Sequence, residues 1–274
     1  MIPKNIWQTY KNTYELLPDY AISATNTWID KNPDWTYNYF SDQDVMDFVR
    51  DNFDSKWINI FQACPLGVMR ADIWRVMILY INGGMYTDLD TICNVPISQW
   101  FDESIGFKND KGDHEWIDLS SKSMILNAEH EMHIEQWTFL SEPGHPALSK
   151  ILENIEAAFI NPNYSNPHFV HQMTGPGVFT KSILEYLGLW EEVDSAPPGI
   201  YLGDGHASQN VHKVNLINDV WEINNSSKSL EDGIFIVPSF RFFHNEVSSH
   251  LYGSQVWDDG QYTRWIKERE NYAR

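Results

Sequence analysis

Two aspartates one residue apart, Asp88 and Asp90, are the side chains of this chain with the clearest chemical meaning. On a strand they would point the same way, because side chains alternate between the two faces. Carboxylates on one side repel each other unless a cation lies beside them, and a hard divalent ion with oxygen ligands is the natural candidate. Asp72 and Arg75 form a second charged pair, three residues apart in an apolar stretch. The pattern predicts that these four residues meet a cation and a polar ligand.

A buried helix and a strand must position these residues. The helix can start at Pro65, whose missing N–H would be unpaired in a first turn anyway. It ends at Gly83-Gly84, which can supply a left-handed cap. Apolar residues cover nearly the whole cylinder, so Asp72 and Arg75 should be buried and should need further polar partners. In the strand that follows, Leu89 should point into the core.

The order and spacing of these residues carry a resemblance: Asp72, Arg75, Gly83-Gly84, Tyr86, Asp88 and Asp90. The pattern resembles the Asp-x-Asp (DXD) glycosyltransferases of family 32, which include the initiating mannosyltransferases and capsular polysaccharide transferases. It is also similar to the glucosylating domains of the large clostridial toxins. The resemblance implies an α/β fold of the GT-A type, with a Rossmann-like mixed central sheet flanked by helices. It further implies one catalytic domain over residues 1–274, with a nucleotide-sugar half at 1–100 and an acceptor-side, metal-completing half at 101–274.

The resemblance also implies roles for the central residues. Asp90 would bind the metal directly, and Asp88 would hold it through water or grip ribose and sugar hydroxyls. Asp72 and Arg75 would orient the hydroxyls of the sugar, and Tyr86 would lie against the ribose or the sugar.

Residues near the start of the chain would complete the donor site. Asn5 to Thr9 reads as a short buried strand. By resemblance, Gln8 and Thr9 line the pocket for the nucleotide base, and Tyr10 stacks on the base. Because ligands of parallel sheets bind at the carboxyl ends of strands, Tyr10, Asp42 and Asp88 to Asp90 should meet there.

The last part of the chain would supply the remaining ligands. By resemblance, His250 completes the metal site, while Ser254 and Trp257 approach the diphosphate; His244 is a rival for the metal. An imidazole beside carboxylates suits manganese better than calcium. We therefore expect Mn²⁺, or Mg²⁺, as the cofactor.

Strand-like and helix-like segments alternate along the first ninety residues, which is typical of a parallel βαβ core. The predicted elements elsewhere are a strand at 35–40, a helix at 43–51 capped by Ser41 to Asp44, a strand at 124–128, helices at 147–159 and 178–187, and a strand at 234–238. His130 and His133 lack the spacing that puts two zinc ligands on one helical face.

Composition limits the possible partners. The formal net charge of −19 argues against a nucleic-acid backbone or an anionic membrane surface as the ligand. An acidic protein that binds an anionic nucleotide sugar would need a metal to bridge carboxylates and phosphates. The two cysteines, Cys64 and Cys93, can be paired or free. Neither a signal peptide nor a transmembrane segment is predicted, and we expect a cytoplasmic protein.

The function expected from these observations is a metal-dependent, retaining glycosyltransferase. It would move a hexose from a nucleotide-sugar donor, with a UDP-sugar favoured over GDP-mannose, to a hydroxyl of a glycan, lipid-linked or protein acceptor. Two alternatives stay open. Asp88 to Thr91 also fits the motif of haloacid-dehalogenase-like phosphohydrolases, with Asp258-Asp259 as a later acidic pair. A non-catalytic sugar-binding protein is the other.

Overall fold

The computed structural model describes residues 1–100, 122–129, 133–164 and 169–188, together with five short strands outside these ranges. Its α-helices are α1 (Asp19–Lys31), α2 (Asp42–Asn52), α3 (Ser55–Ala63), α4 (Gly67–Asn82), α5 (Pro146–Ile160), α6 (Phe169–Met173) and α7 (Pro176–Tyr186). Its strands are β1 (Asn5–Tyr10), β2 (Thr36–Ser41), β3 (Gly84–Thr87), β4 (Thr91–Cys93), β5 (Phe107–Lys108), β6 (His114–Glu115), β7 (Met124–Glu129), β8 (His133–Ser141), β9 (Lys228–Ser229), β10 (Ile234–Val237) and β11 (Ser248–His250). Short 3-10 helices lie at Tyr14–Leu16 and Ile97–Gln99.

The main sheet is mixed, and its strand order is β2-β1-β3-β8-β7-β10-β9. Strand β1 pairs in parallel with β2 and with β3, as the βαβ pattern predicts. Strand β8 then runs antiparallel to β3 on one side and to β7 on the other. The expected α/β fold with a mixed central sheet is therefore confirmed.

Both faces of the sheet are covered, because successive side chains enter different cores. Trp7 and Tyr86 belong to a large cluster that includes buried residues of α4, α5 and α7. Ile6 and Met85, one residue earlier on each strand, belong to a second cluster with Trp28 of α1. The sheet thus lies between two helical layers.

Most of the predicted elements are found within a few residues of their expected bounds. Helix α2 begins with the expected cap: Ser41 Oγ accepts from the Asp44 N–H at 3.3 Å, and the Asp44 carboxylate accepts from the Ser41 N–H at 2.9 Å. Helix α3 was not predicted from the sequence. Its signal in the sequence is Asp54, whose carboxylate accepts from the backbone N–H groups of Lys56 and Trp57.

The expected start of the buried helix at Pro65 is wrong. Helix α4 starts at Gly67, and Leu66 before it is extended, with φ −126° and ψ 142°. Proline disfavours the helical conformation in the residue before it, and Cys64 is indeed extended at the end of α3. Pro65 therefore ends one helix rather than beginning the next.

The other end of α4 behaves as predicted. Gly83 has φ +63° and follows the last helical residue, so it is the left-handed cap. Gly84 has φ +105° and begins β3 against the neighbouring strand. A Cβ built on Gly84 would lie 2.6 Å from the carbonyl oxygen of Asn5.

We predict that Gly84→Ala lowers the free energy of unfolding by about 2–5 kcal/mol, because it combines a left-handed backbone with a backbone clash. Gly144→Ala is a matched control, since Gly144 has φ +69° but nothing within 4 Å of a built Cβ. It should cost only about 1–2 kcal/mol. Urea unfolding of both variants measures the difference, and equal costs would contradict the close packing of β3 against β1.

Candidate active site

The two aspartates of the DXD motif lie in a tight turn rather than on a strand. Strand β3 ends at Thr87, and the Thr91 backbone N–H and hydroxyl donate to the Asp88 carbonyl at 3.2 and 2.6 Å. The expectation that strand alternation aligns Asp88 and Asp90 is therefore wrong. The turn brings both carboxylates to one cleft, while Leu89 packs in a small apolar cluster as predicted.

Gln8 holds this turn from below. Its side chain is fully buried, and its amide N–H donates to the Asp88 carbonyl at 3.0 Å. Its amide oxygen accepts from the hydroxyls of Thr25 and Tyr37. Gln8 is not among the residues that line the cleft, and its hydrogen bonds are to other residues of the protein. Its role in binding the nucleotide base stays a prediction.

Arg75 lies between two carboxylates. Its guanidinium contacts Asp72 and Asp88, each at 3.2 Å, and it also donates to the Gln136 carbonyl at 3.1 Å. The guanidinium lies over the Tyr86 ring, 4.7 Å from the centroid. Arg75 is only 4% exposed. These partners offset the free-energy cost of removing its charge from water.

Asp88 is held from two sides. Besides the Arg75 contact, its Oδ1 accepts from the Tyr86 hydroxyl at 2.5 Å. Burial raises the pKa of the Tyr86 phenol well above its usual value, so the hydroxyl keeps its proton and remains a donor to Asp88.

Asp72 is buried beneath the cleft. Besides Arg75, it accepts hydrogen bonds from the Gln136 amide at 2.8 Å and the Thr174 hydroxyl at 2.9 Å. Burial raises the pKa of Asp72 to about 6, with Arg75 and these two donors opposing the shift. Asp72 is therefore ionised at neutral pH and protonates in mild acid.

A cleft of about 280 Å³ opens at the carboxyl ends of β1 and β3. Seven of the residues predicted to lie here line it: Thr9, Tyr10, Asp42, Arg75, Tyr86, Asp88 and Asp90. This is the edge of a parallel pair of strands where ligands bind in α/β sheets.

Other residues of the cleft were not predicted. Lys11 and Arg70 bring positive charge to it. Tyr20 of α1 also lines it, and burial, followed by the nearby Tyr10 and Asp90, raises the pKa of its phenol. Lys11 follows Tyr10 directly, so its position was available in the sequence. Nothing in the local pattern singled out Arg70 or Tyr20, because their places depend on how α4 and α1 pack.

The predicted residues from the end of the chain are described only in part. Strand β11 pairs antiparallel with β4, and its register places His250 opposite Thr91, the residue after Asp90. Ser254, Trp257 and the rival His244 lie outside the described residues, as do His130 and Asp258-Asp259. Cys64 and Cys93 are both buried and free, so the open question of their pairing is answered.

The residues present fit a divalent cation in their chemistry. Asp90 is 8% exposed and Asp88 lies beside it in the cleft, so two carboxylates would supply hard oxygen ligands. Within the described part of the chain, no group of three His, Cys, Asp or Glu side chains gathers at one point. A third protein ligand would come from β11, whose register brings a histidine position next to the DXD turn.

Residues 18–107 match the family model described as "Glycosyltransferase sugar-binding region containing DXD motif". The matched stretch contains Asp72, Arg75, Asp88 and Asp90, and it includes α4, β3 and the DXD turn. Residues 18–107 are therefore similar to the sugar-binding region of the DXD glycosyltransferases, which confirms the recognition made from the sequence.

Curated proteins of similar sequence are named mannosyltransferases. The initiation-specific alpha-1,6-mannosyltransferase of Candida albicans is 27% identical over 213 residues, which cover 68% of this chain and 53% of the relative. The protein of the same name from Schizosaccharomyces pombe is 28% identical, over 69% of this chain and 50% of its own length. Inositol phosphoceramide mannosyltransferase 3 of S. pombe is 30% identical, over 64% of this chain and 43% of its own length. The chain spans about half the length of the curated relatives it matches.

A solved structure, the PaToxG glycosyltransferase, shares the fold with a TM-score of 0.50 and 16% sequence identity. The matched region covers 68% of this chain and 70% of that chain. This likeness concerns the fold alone, and it confirms the expected GT-A architecture. Among the described residues, the helices are too short or too polar for any of them to cross a membrane.

We predict that Arg75→Met lowers the free energy of unfolding by about 3–5 kcal/mol, because it leaves Asp72 buried without its cation. Arg75 lowers the pKa of Asp72, so its removal moves that pKa further up. A carboxyl whose folded pKa is raised contributes stability that is lost as pH rises through that pKa. The loss should therefore be larger near about pH 7.5 than near about pH 5.

Arg50→Met is the matched control, since Arg50 forms a half-exposed pair with Asp47 on α2. It should cost less than about 1 kcal/mol at either pH. Denaturant unfolding at the two pH values measures both variants. A loss for Arg75→Met that matches the control would show that the buried network does not stabilise the fold.

Proposed function

We propose that this chain is a metal-dependent, retaining glycosyltransferase that moves a hexose from a nucleotide sugar to a hydroxyl acceptor. The observation that carries the proposal is the cleft in which Asp88 and Asp90 lie together, with Arg75 held against Asp88. This arrangement falls within the stretch that matches the DXD sugar-binding region.

The proposed roles are those that the resemblance implies. Asp90 binds the cation directly, with His250 as a further ligand, and Asp88 holds it through water or grips ribose and sugar hydroxyls. Arg75 is a donor of hydrogen bonds to the sugar, and Tyr10 and Thr9 receive the nucleotide base at the end of β1. Among the residues outside the described part, Ser254 and Trp257 would approach the diphosphate.

The chemistry of the transfer needs charge stabilisation more than a protein nucleophile. When bound, Mn²⁺ or Mg²⁺ neutralises the negative charge that grows on the departing diphosphate. Asp88 and Asp90 would orient that cation, and Arg75 would fix the sugar so that its anomeric carbon faces the acceptor. In a front-face transfer the acceptor oxygen bonds to the anomeric carbon as the bond to the phosphate oxygen breaks. The acceptor proton passes to the leaving phosphate, which makes a protein base unnecessary.

The donor sugar is proposed from the relatives. Their names give mannose as the sugar that those proteins transfer. This favours a mannose donor, such as GDP-mannose, over the UDP-hexose expected from the sequence. The named relatives differ in what they glycosylate, so the acceptor is proposed only as a hydroxyl of a glycan, a lipid-linked molecule or a protein. The cytoplasmic location stays a prediction.

The phosphohydrolase alternative is disfavoured because its motif leaves the buried Asp72–Arg75 pair beside Asp88 unexplained. The family match covers the same residues with a glycosyltransferase model. A purely sugar-binding protein would leave the paired carboxylates of the cleft without a reaction to serve.

We predict that the protein releases nucleotide from a nucleotide sugar in the presence of Mn²⁺, and that Asp90→Asn lowers this rate by about 100-fold or more. Lewis-acid stabilisation is worth several kcal/mol, and about 1.4 kcal/mol corresponds to a tenfold change in rate. The assay measures GDP or UDP released from GDP-mannose, UDP-glucose and UDP-galactose, with and without a hydroxyl acceptor.

Asp30→Asn is the matched control, because it makes the same Asp-to-Asn change at an exposed position of α1. It should leave the rate unchanged. Release that persists in Asp90→Asn or in a chelator would contradict metal dependence. Activity on simple phosphomonoesters without activity on any nucleotide sugar would instead support the phosphohydrolase.

We predict that His250→Ala weakens Mn²⁺ binding by about tenfold or more, because it removes a ligand of the cation. Titration calorimetry or the electron paramagnetic resonance signal of free Mn²⁺ measures the affinity in the presence of GDP or UDP. His244→Ala is the comparison variant and should bind Mn²⁺ like the wild type. The reverse result would assign the ligand to His244.

A further inference from the structure

Asp72 lies directly against Arg75 beneath the cleft. It is 2% exposed and does not line the cleft, whereas Arg75 does. Its Oδ1 contacts Arg75 and the Gln136 amide, and its Oδ2 accepts from the Thr174 hydroxyl. Both carboxylate oxygens are therefore committed to protein groups.

The Thr174 hydroxyl reaches Asp72 from the turn between α6 and α7. This turn packs tightly on α6: a Cβ built on Gly175 would lie 2.8 Å from the His171 Cα, and one on Gly177 would lie 2.9 Å from the His171 carbonyl oxygen. The Thr174 backbone N–H also donates to the Val170 carbonyl at 3.0 Å. The position of the hydroxyl is thus set by a tightly packed turn that lies 102 residues from Asp72 in the chain.

Gln136 of β8 holds both members of the ion pair. Its side-chain amide donates to Asp72, and its backbone carbonyl accepts from Arg75 at 3.1 Å. Gln136 is 6% exposed and Thr174 is 1% exposed, so water does not compete freely for these bonds. Together Gln136 and Thr174 hold the Asp72 carboxylate in place, and this carboxylate holds the Arg75 guanidinium.

We propose that Thr174 and Gln136 are positioning residues of the donor site, which hold Asp72 so that Arg75 presents its guanidinium to the bound sugar. In this proposal Asp72 acts through Arg75, whose guanidinium lines the cleft. This inference rests on the proposed glycosyltransferase function, because the sugar is the ligand that Arg75 orients.

The test compares Thr174→Val, which removes the hydroxyl at nearly constant shape, with Thr174→Ser, which keeps it. Release of nucleotide from the donor that the wild type uses best should fall about 10- to 100-fold in Thr174→Val, as expected for a misplaced contact group. Thr174→Ser should restore most of the rate. Binding of free GDP or UDP should be unchanged, because Asp88 keeps its hydrogen bond from Tyr86.

Thr180→Val is the matched control. Thr180 is another buried threonine, and its hydroxyl bonds the backbone of Ile134 rather than the Asp72 network. This variant should lose stability while keeping the rate of nucleotide release. Equal rates in Thr174→Val and the control, or no rescue by Thr174→Ser, would overturn the proposal.

Gln136→Met gives a second route to the same answer if Thr174→Val fails to fold. It removes the donor to Asp72 but keeps the backbone carbonyl that Arg75 uses, so it should reproduce the loss of rate with unchanged binding of GDP or UDP. Wild-type rates in Gln136→Met would overturn the proposal. Failure of the wild type to release nucleotide from any donor would instead overturn the proposed function, which keeps the two failures distinct.

Discussion

The structure of the site depends on one buried cation. Arg75 is 4% exposed and contacts Asp72 and Asp88, each at 3.2 Å. A guanidinium at this depth is tolerable only while both carboxylates and the Gln136 carbonyl remain in place. The helix that carries Arg75, the turn that carries Asp88 and the strand that carries Gln136 must therefore keep their relative positions.

The backbone around the DXD turn meets this requirement with few residues. Gln8 bonds the Asp88 carbonyl from β1, and the Asp88 N–H donates to the Trp137 carbonyl at 2.8 Å. Trp28 of α1 donates its indole N–H to the Thr91 carbonyl at 3.0 Å. Two strands of the sheet and helix α1 thus hold one short turn by hydrogen bonds, which support the carboxylates at the cleft. That support is what a transferase needs to orient a cation and a sugar.

Much of the fold could be predicted from local patterns. Strands β1 and β2, helix α2 with its Ser41–Asp44 cap and the glycine stop after α4 follow from alternation, capping and backbone freedom, which act over a few residues. The pairing of Asp72 with Arg75 was also visible, because residues three apart share one face of a helix. Local rules failed where two of them competed: Pro65 could begin a helix or end one, and its restriction of the preceding Cys64 to an extended conformation accompanies the end of α3.

The sequence by itself determined the chemistry: a DXD pair, a buried Asp72–Arg75 pair and the glycosyltransferase class that their spacing resembles. Only the tertiary structure decided which residues form hydrogen bonds with Asp72 and Arg75. Thr174 lies 102 residues from Asp72 and Gln136 lies 61 residues from Arg75, so no local pattern relates them. The geometry of the DXD turn was likewise undetermined, since a strand and a turn can both bring two carboxylates to one side. Long-range packing of α4 against β3, β8 and the α6–α7 turn made these choices, because it alone sets which polar groups a buried charge can reach.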